Sequence, residues 1–107
     1  MNYADANMTL VLMIASQIAQ MPFDSLRYNC WDYATDLKLE LAKYNYTSRI
    51  AHGLIERRYS HAWLEINGEW VEATTGEIIE DRTPYHLGYY GAMKWNPYKK
   101  NWKMNNS

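Results

Sequence analysis

The stretch His61-Ala62-Trp63-Leu64-Glu65-Ile66-Asn67-Gly68-Glu69-Trp70-Val71-Glu72 decides the fold. Apolar and polar residues alternate on both sides of Asn67-Gly68, a dipeptide that favours a two-residue type I′ turn, so the stretch predicts a β-hairpin. With Asn67 and Gly68 as the loop, Ile66 faces Glu69, Leu64 faces Val71 and Ala62 faces Ala73. On the other face Glu65 meets Trp70, Trp63 meets Glu72 and His61 meets Thr74. His61 and Glu72 then become diagonal neighbours, with Cβ atoms about 6–8 Å apart, close enough for an imidazole–carboxylate hydrogen bond. A slip of one residue would send them to opposite faces.

Upstream, residues 5–20 read as a helix, with Val11, Ile14, Ala15 and Ile18 at helical spacing and Asp5 or Asn7 as cap. Met21-Pro22 ends it, because the residue before a proline is pushed out of the helical region. A second helix runs from about Cys30 to Tyr44, with Asn29 as N-cap and Asp32 in the first turn, where the dipole favours an acid. Cys30, Ala34, Leu37, Leu41 and Tyr44 form its apolar stripe, while Asp32, Asp36 and Glu40 occupy a polar face. Arg49 to Ile55 reads as a strand, and Gly53 within it marks a bulge or a close backbone approach.

Downstream, Glu77 to Glu80 fits a short strand. From Arg82 onward there is no acid, and Lys94, Lys99, Lys100 and Lys103 are interleaved with Tyr and Trp. Gly88, Gly91 and Pro97 oppose a long helix there. Residues 82–107 are expected to wrap their rings onto the core, with Asn105-Asn106-Ser107 frayed.

The 107 residues suit a single domain, one able to bury roughly two-thirds of its unfolded surface. An apolar fraction of 48% fits a globular chain, and a net charge of −1 argues against a bulk electrostatic grip on nucleic acid or an anionic membrane. The single cysteine allows no internal disulfide. Leu10 to Ala15 is apolar but far short of the about 20 residues that cross a bilayer, and Asp5 precedes it where a signal peptide would be basic. A cytoplasmic protein is expected.

Cys30, His61 and Glu72 are the candidates for chemistry. An ordinary thiol, with a pKa of about 8.5, is only a few per cent thiolate at neutral pH. A helix N-terminus and a nearby imidazolium both favour the thiolate. The Cys30 N–H could serve an oxyanion, with Gln17, Asn29 or Tyr28 as candidate second donors. His61 would protonate a leaving amine and later activate water, and Glu72 would orient the ring. Local pattern links His61 to Glu72 but leaves Cys30 unplaced, and a lone cysteine on an apolar stripe also reads as a packed core thiol. Trp63 and Trp70 read as packing residues. Cys30, His52, His61 and His86 lack the paired spacing of a zinc site, so neither metal nor cofactor is expected.

Several of these segments resemble the transglutaminase-like superfamily, a branch of the papain-like cysteine enzymes. Cys30-Trp31-Asp32-Tyr33-Ala34 is similar to the nucleophile motif Cys-x-Asp-x-Ala at a helix start. Leu41 to Gly53 resembles the segment after that helix, Gly-Ile-Pro-Ala-Arg-x-x-x-Gly, with Arg49 and Gly53 matching and Asn45 and Thr47 standing for its first Gly and its Pro. His61-Ala62-Trp63-Leu64-Glu65-Ile66 is similar to His-Ala-Trp-Val-Glu-Val. Trp70 to Gly76 resembles Trp-Val-x-Asp-Pro-Thr-x-Gly, with Glu72 in the acid position.

The resemblance covers residues 28–76. It implies an α+β fold, a minimal papain-like core in which the helix bearing Cys30 packs on a small antiparallel sheet bearing His61 and Glu72. It implies a Cys-His-Glu triad acting on a protein or peptide substrate, as a cysteine peptidase or amidase. Transfer to an amine is the alternative chemistry. A catalytically inactive binding module, with Trp63 and the tail tyrosines as its surface, and nucleic-acid binding through the Lys/aromatic tail are the non-enzymatic ones. Tyr28 stands where the family has a small Gly, which implies a crowded acyl pocket. Glu72 is one methylene longer than the usual Asp. No acidic cluster suits calcium, so calcium-activated cross-linking is not implied.

Overall fold

A computed structural model describes residues 6–91, together with the backbone of 93–96 and 101–104. Asn7 caps the first helix, α1 (Met8–Ile18), where its Oδ1 accepts the Thr9 and Leu10 N–H groups at 3.0 and 3.3 Å. Val11, Ile14 and Ala15 turn inward as their spacing predicts. The helix stops at Ile18, ahead of Met21-Pro22, because Gln20 and Met21 bond back three residues to Gln17 and Ile18.

The second helix, α2 (Cys30–Ala42), starts at a reciprocal cap. Trp31 N–H donates to Asn29 Oδ1 at 3.1 Å, and Asn29 N–H donates to Asp32 Oδ2 at 2.9 Å. Ala34, Leu37 and Leu41 are fully buried, and each leucine contributes about 1.5–3 kcal/mol by leaving water. Tyr44, the expected end of the stripe, lies past the helix and is exposed. Asn45, in the left-handed region at φ 62°, ends that turn.

Five antiparallel strands form the sheet: β1 (Arg49–Ile55), β2 (Tyr59–Ile66), β3 (Glu69–Glu72), β4 (Glu77–Ile78) and β5 (Tyr85–Tyr90). Their order is β4-β3-β2-β1-β5. A separate hairpin of β6 (Met93–Asn96) and β7 (Asn101–Met104) pairs Trp95 with Trp102. The fold is α+β, and alternation along the strands gives the sheet two cores. Ile50, Ala62, Leu64, Ile66 and Val71 pack against both helices. Ala51, Trp63, Trp70 and Ile79 form the second cluster, on which Tyr85 and Tyr90 pack.

The hairpin has the predicted register at Ile66–Glu69, Glu65–Trp70 and Leu64–Val71, with Asn67 and Gly68 both at positive φ. It is shorter than expected. The Glu72 carbonyl accepts the Gly76 N–H at 2.8 Å, so the chain turns away before Ala73 and Thr74 can pair with Ala62 and His61.

Residues 85–90 are the main departure. Tyr85 and Tyr90 do pack on the core, but as part of a regular edge strand, β5, paired with β1. Gly53 permits this, since a Cβ there would lie 2.1 Å from the His86 carbonyl oxygen and 2.9 Å from the Trp63 ring. The register shifts between His52 and Gly53, leaving Gly88 as the extra residue of a bulge. Trp63 is 0% exposed, so it cannot serve as the recognition surface of a binding module. The expectations for the Trp95, Tyr98 and Trp102 rings, the tail lysines and residues 105–107 fall outside the described side chains. Among the described residues no helix is long and apolar enough to cross a membrane.

Candidate active site

Cys30 is the first residue of α2, where a backbone N–H has no acceptor within its own helix. Its side chain stands in the wall of an open groove of about 510 Å³ that His61 also lines. The Cys30 thiol and the His61 imidazole share that groove, near enough for the thiol to raise the ring's pKa. On its other side, His61 Nε2 lies 2.9 and 2.7 Å from the two Glu72 carboxylate oxygens. With Nε2 held by the carboxylate, Nδ1 is the nitrogen left for the thiol. The helix tip and the two arms of the hairpin thus bring together all three residues picked out in the sequence.

Glu72 is held from three directions. Besides His61, Thr74 Oγ1 donates to its Oε1 at 3.0 Å and Tyr85 Oη donates to its Oε2 at 2.9 Å. Burial pushes its carboxyl pKa up, but the hydrogen bond and charge of His61, with Tyr85 and Thr74, bring it below the usual value. Burial pushes the His61 imidazole down. Hydrogen bonds to Cys30 and Glu72, and attraction to both, outweigh that and raise it to about 9. The ring is therefore protonated at neutral pH.

These shifts give stability a defined pH dependence. His61, raised when folded, adds stability that is complete below its unfolded value of 6.5 and is lost as pH climbs to about 9. Glu72, lowered when folded, adds stability that is present above 4.5 and is lost as pH falls below it. Thermal unfolding against pH is expected to show both losses in the wild type. Both should flatten in Glu72→Gln, and Tyr85→Phe should shrink the acid-side loss.

The sequence placed Tyr85 only among the tail rings and His52 only in a rejected zinc set, and gave neither a part in this site. Tyr85 reaches Glu72 only because β5 joins the sheet, and it also packs edge-on against Trp63 with ring centroids 5.2 Å apart. The alternation Tyr85-x-Leu87-x-Tyr89 was the available signal for that strand. His52 lines the groove, donates from Nε2 to the Gly91 carbonyl at 2.9 Å and stacks on Tyr89. Burial pushes its pKa down, so it carries no charge at neutral pH.

Tyr28 does not crowd the groove. Its Oη donates to Asp36 Oδ2 at 2.5 Å and its ring packs edge-on against Tyr33, which keeps it out of the groove wall. Of the three candidate second oxyanion donors only Asn29 lines the groove, and its side chain is engaged in the α2 cap and with the Ser25 carbonyl. Gln17 is exposed on α1 and does not line the groove. Among the described residues no group of three or more His, Cys, Asp or Glu is arranged to hold a metal ion. Comparisons with protein-family models, with curated proteins and with solved structures return no match, so the site is read from this chain's own residues.

Proposed function

We propose that this protein is a thiol-dependent acyl-transfer enzyme, a cysteine peptidase or amidase related to the transglutaminase-like superfamily. One observation carries the reading: the imidazole that lines an open groove with Cys30 is held on its Nε2 by the half-buried carboxylate of Glu72. Sealed core thiols have no such partner facing open solvent.

In acylation the Cys30 thiolate attacks the carbonyl carbon of an amide. The Sγ–C bond forms, and the developing oxyanion meets the Cys30 N–H at the helix tip. His61, protonated at rest, gives its proton to the leaving nitrogen as the C–N bond breaks. In deacylation His61 takes a proton from water, the hydroxide adds to the thioester carbon, and the Sγ–C bond breaks. A carboxylic acid leaves, and the thiolate–imidazolium pair is restored. Glu72 keeps the ring in one orientation and stabilises its charged form throughout. The substrate is a protein or peptide, and the single cysteine fits a cytoplasmic setting.

Incubation with a fluorogenic peptide amide, followed by an acid quench, is expected to leave an acyl group on Cys30, seen by peptide mass mapping. Added methylamine distinguishes acceptors, with free acid marking hydrolysis and the N-methylamide marking amine transfer. No adduct on Cys30, even with an activated ester, would overturn the proposal.

A further inference from the structure

The groove beside Cys30 has a composition that selects among acyl groups. Among the described residues no Asp, Glu, Lys or Arg lines it. Phe23 and Trp31 come from the α1–α2 connection and from α2, while Leu54 comes from β1 and Tyr89 from the edge strand β5. Phe23, Leu54 and Tyr89 are 62%, 39% and 37% exposed, an unusual display of large apolar surface on both rims of one cleft. Gly53, Ala62 and Gly88 also line it, at positions where the strands carry little or no side chain. The groove's about 510 Å³ lies within the range of pockets that engulf a ligand of a few residues.

We infer that the acyl portion of the substrate carries an aromatic or aliphatic, uncharged side chain next to the reacting carbonyl, seated between Phe23 and Trp31 on one side and Leu54 and Tyr89 on the other. This rests on the thiol chemistry proposed above. The ionisable groups in the walls fit the inference. The uncharged His52 is spent on Gly91, and His61 is held by Glu72. A basic substrate side chain would meet no carboxylate among the described lining residues, and the imidazolium that an acidic one would meet is already paired with Glu72.

The test uses N-acetyl amino-acid chloromethyl ketones bearing Phe, Leu, Lys or Asp, whose carbon bonds to Cys30 Sγ as chloride leaves. With the whole protein, the Phe and Leu reagents are expected to alkylate Cys30 at least about tenfold faster than the Lys and Asp reagents. Leu54→Asp should turn the preference toward the Lys reagent, a gain that mere loosening of the fold would not produce. Equal or faster alkylation by the charged reagents would overturn the inference.

A second arm does not depend on a reactive thiol. In Cys30→Ser, N-acetyl phenylalaninamide should shift the amide resonances of Leu54, His61 and Tyr89 at concentrations where N-acetyl lysinamide does not. Indistinguishable shifts from the two amides would overturn the inference even if Cys30 proves reactive. A clear preference would uphold the groove's choice of an uncharged side chain, and the labelling of Cys30 decides separately whether that side chain belongs to an acyl donor.

Discussion

Cys30→Ala is expected to lower amide turnover by at least about 10³-fold, the scale seen when a nucleophile is removed from a triad. The residual rate would come from groove binding and the α2 tip. The fold should survive the change. Cys30 is only partly buried and occupies the first helical position, where alanine is well tolerated. The loss of stability should stay within about 1 kcal/mol. Steady-state rates on a peptide amide, with denaturant titration of both proteins, separate these quantities. Undiminished biological activity in a folded Cys30→Ala protein would instead identify a binding module.

Gly53→Ala is expected to have the largest effect on folding, a destabilisation of about 3 kcal/mol or more. The added methyl would stand 2.1 Å from the His86 carbonyl oxygen, which is backbone and cannot swing aside. To relieve the clash β5 must lift from β1, taking Tyr85 away from Glu72 and Tyr89 away from the groove. Stability and chemistry should therefore fall together, unlike in Cys30→Ala. A denaturation midpoint close to that of the wild type would show that β5 is not held against Gly53 in this way.

The hairpin and both helices were legible because their signals are local. Asn67-Gly68 dictates its turn, Asn29 and Asp32 dictate the start of α2, and Leu37 and Leu41 mark its buried face. The His61–Glu72 contact followed from that hairpin, although the paired ladder ends sooner than the alternation implied. The turn between β1 and β2 left no signal, since Glu56 and Arg57 both adopt positive φ without the Gly or Asn that normally announces it. Strand β5 was hidden for another reason. Its partner lies some 35 residues upstream, in β1, and what admits it is a missing side chain at Gly53. Cys30 meeting His61 was likewise non-local. Periodicity in α2 assigns the thiol to a buried stripe, and only packing of the helix on the sheet decides which groups it meets.

The most direct test of the account is the pH dependence of Cys30 alkylation by iodoacetamide in the wild type and in His61→Gln. If the imidazolium raised to about 9 is the thiol's partner, wild-type alkylation on the acid side of neutrality should be at least about tenfold faster than that of free cysteine. In His61→Gln that reactivity should be lost. Identical profiles for the two proteins, both falling away below about pH 8 as for free cysteine, would contradict it.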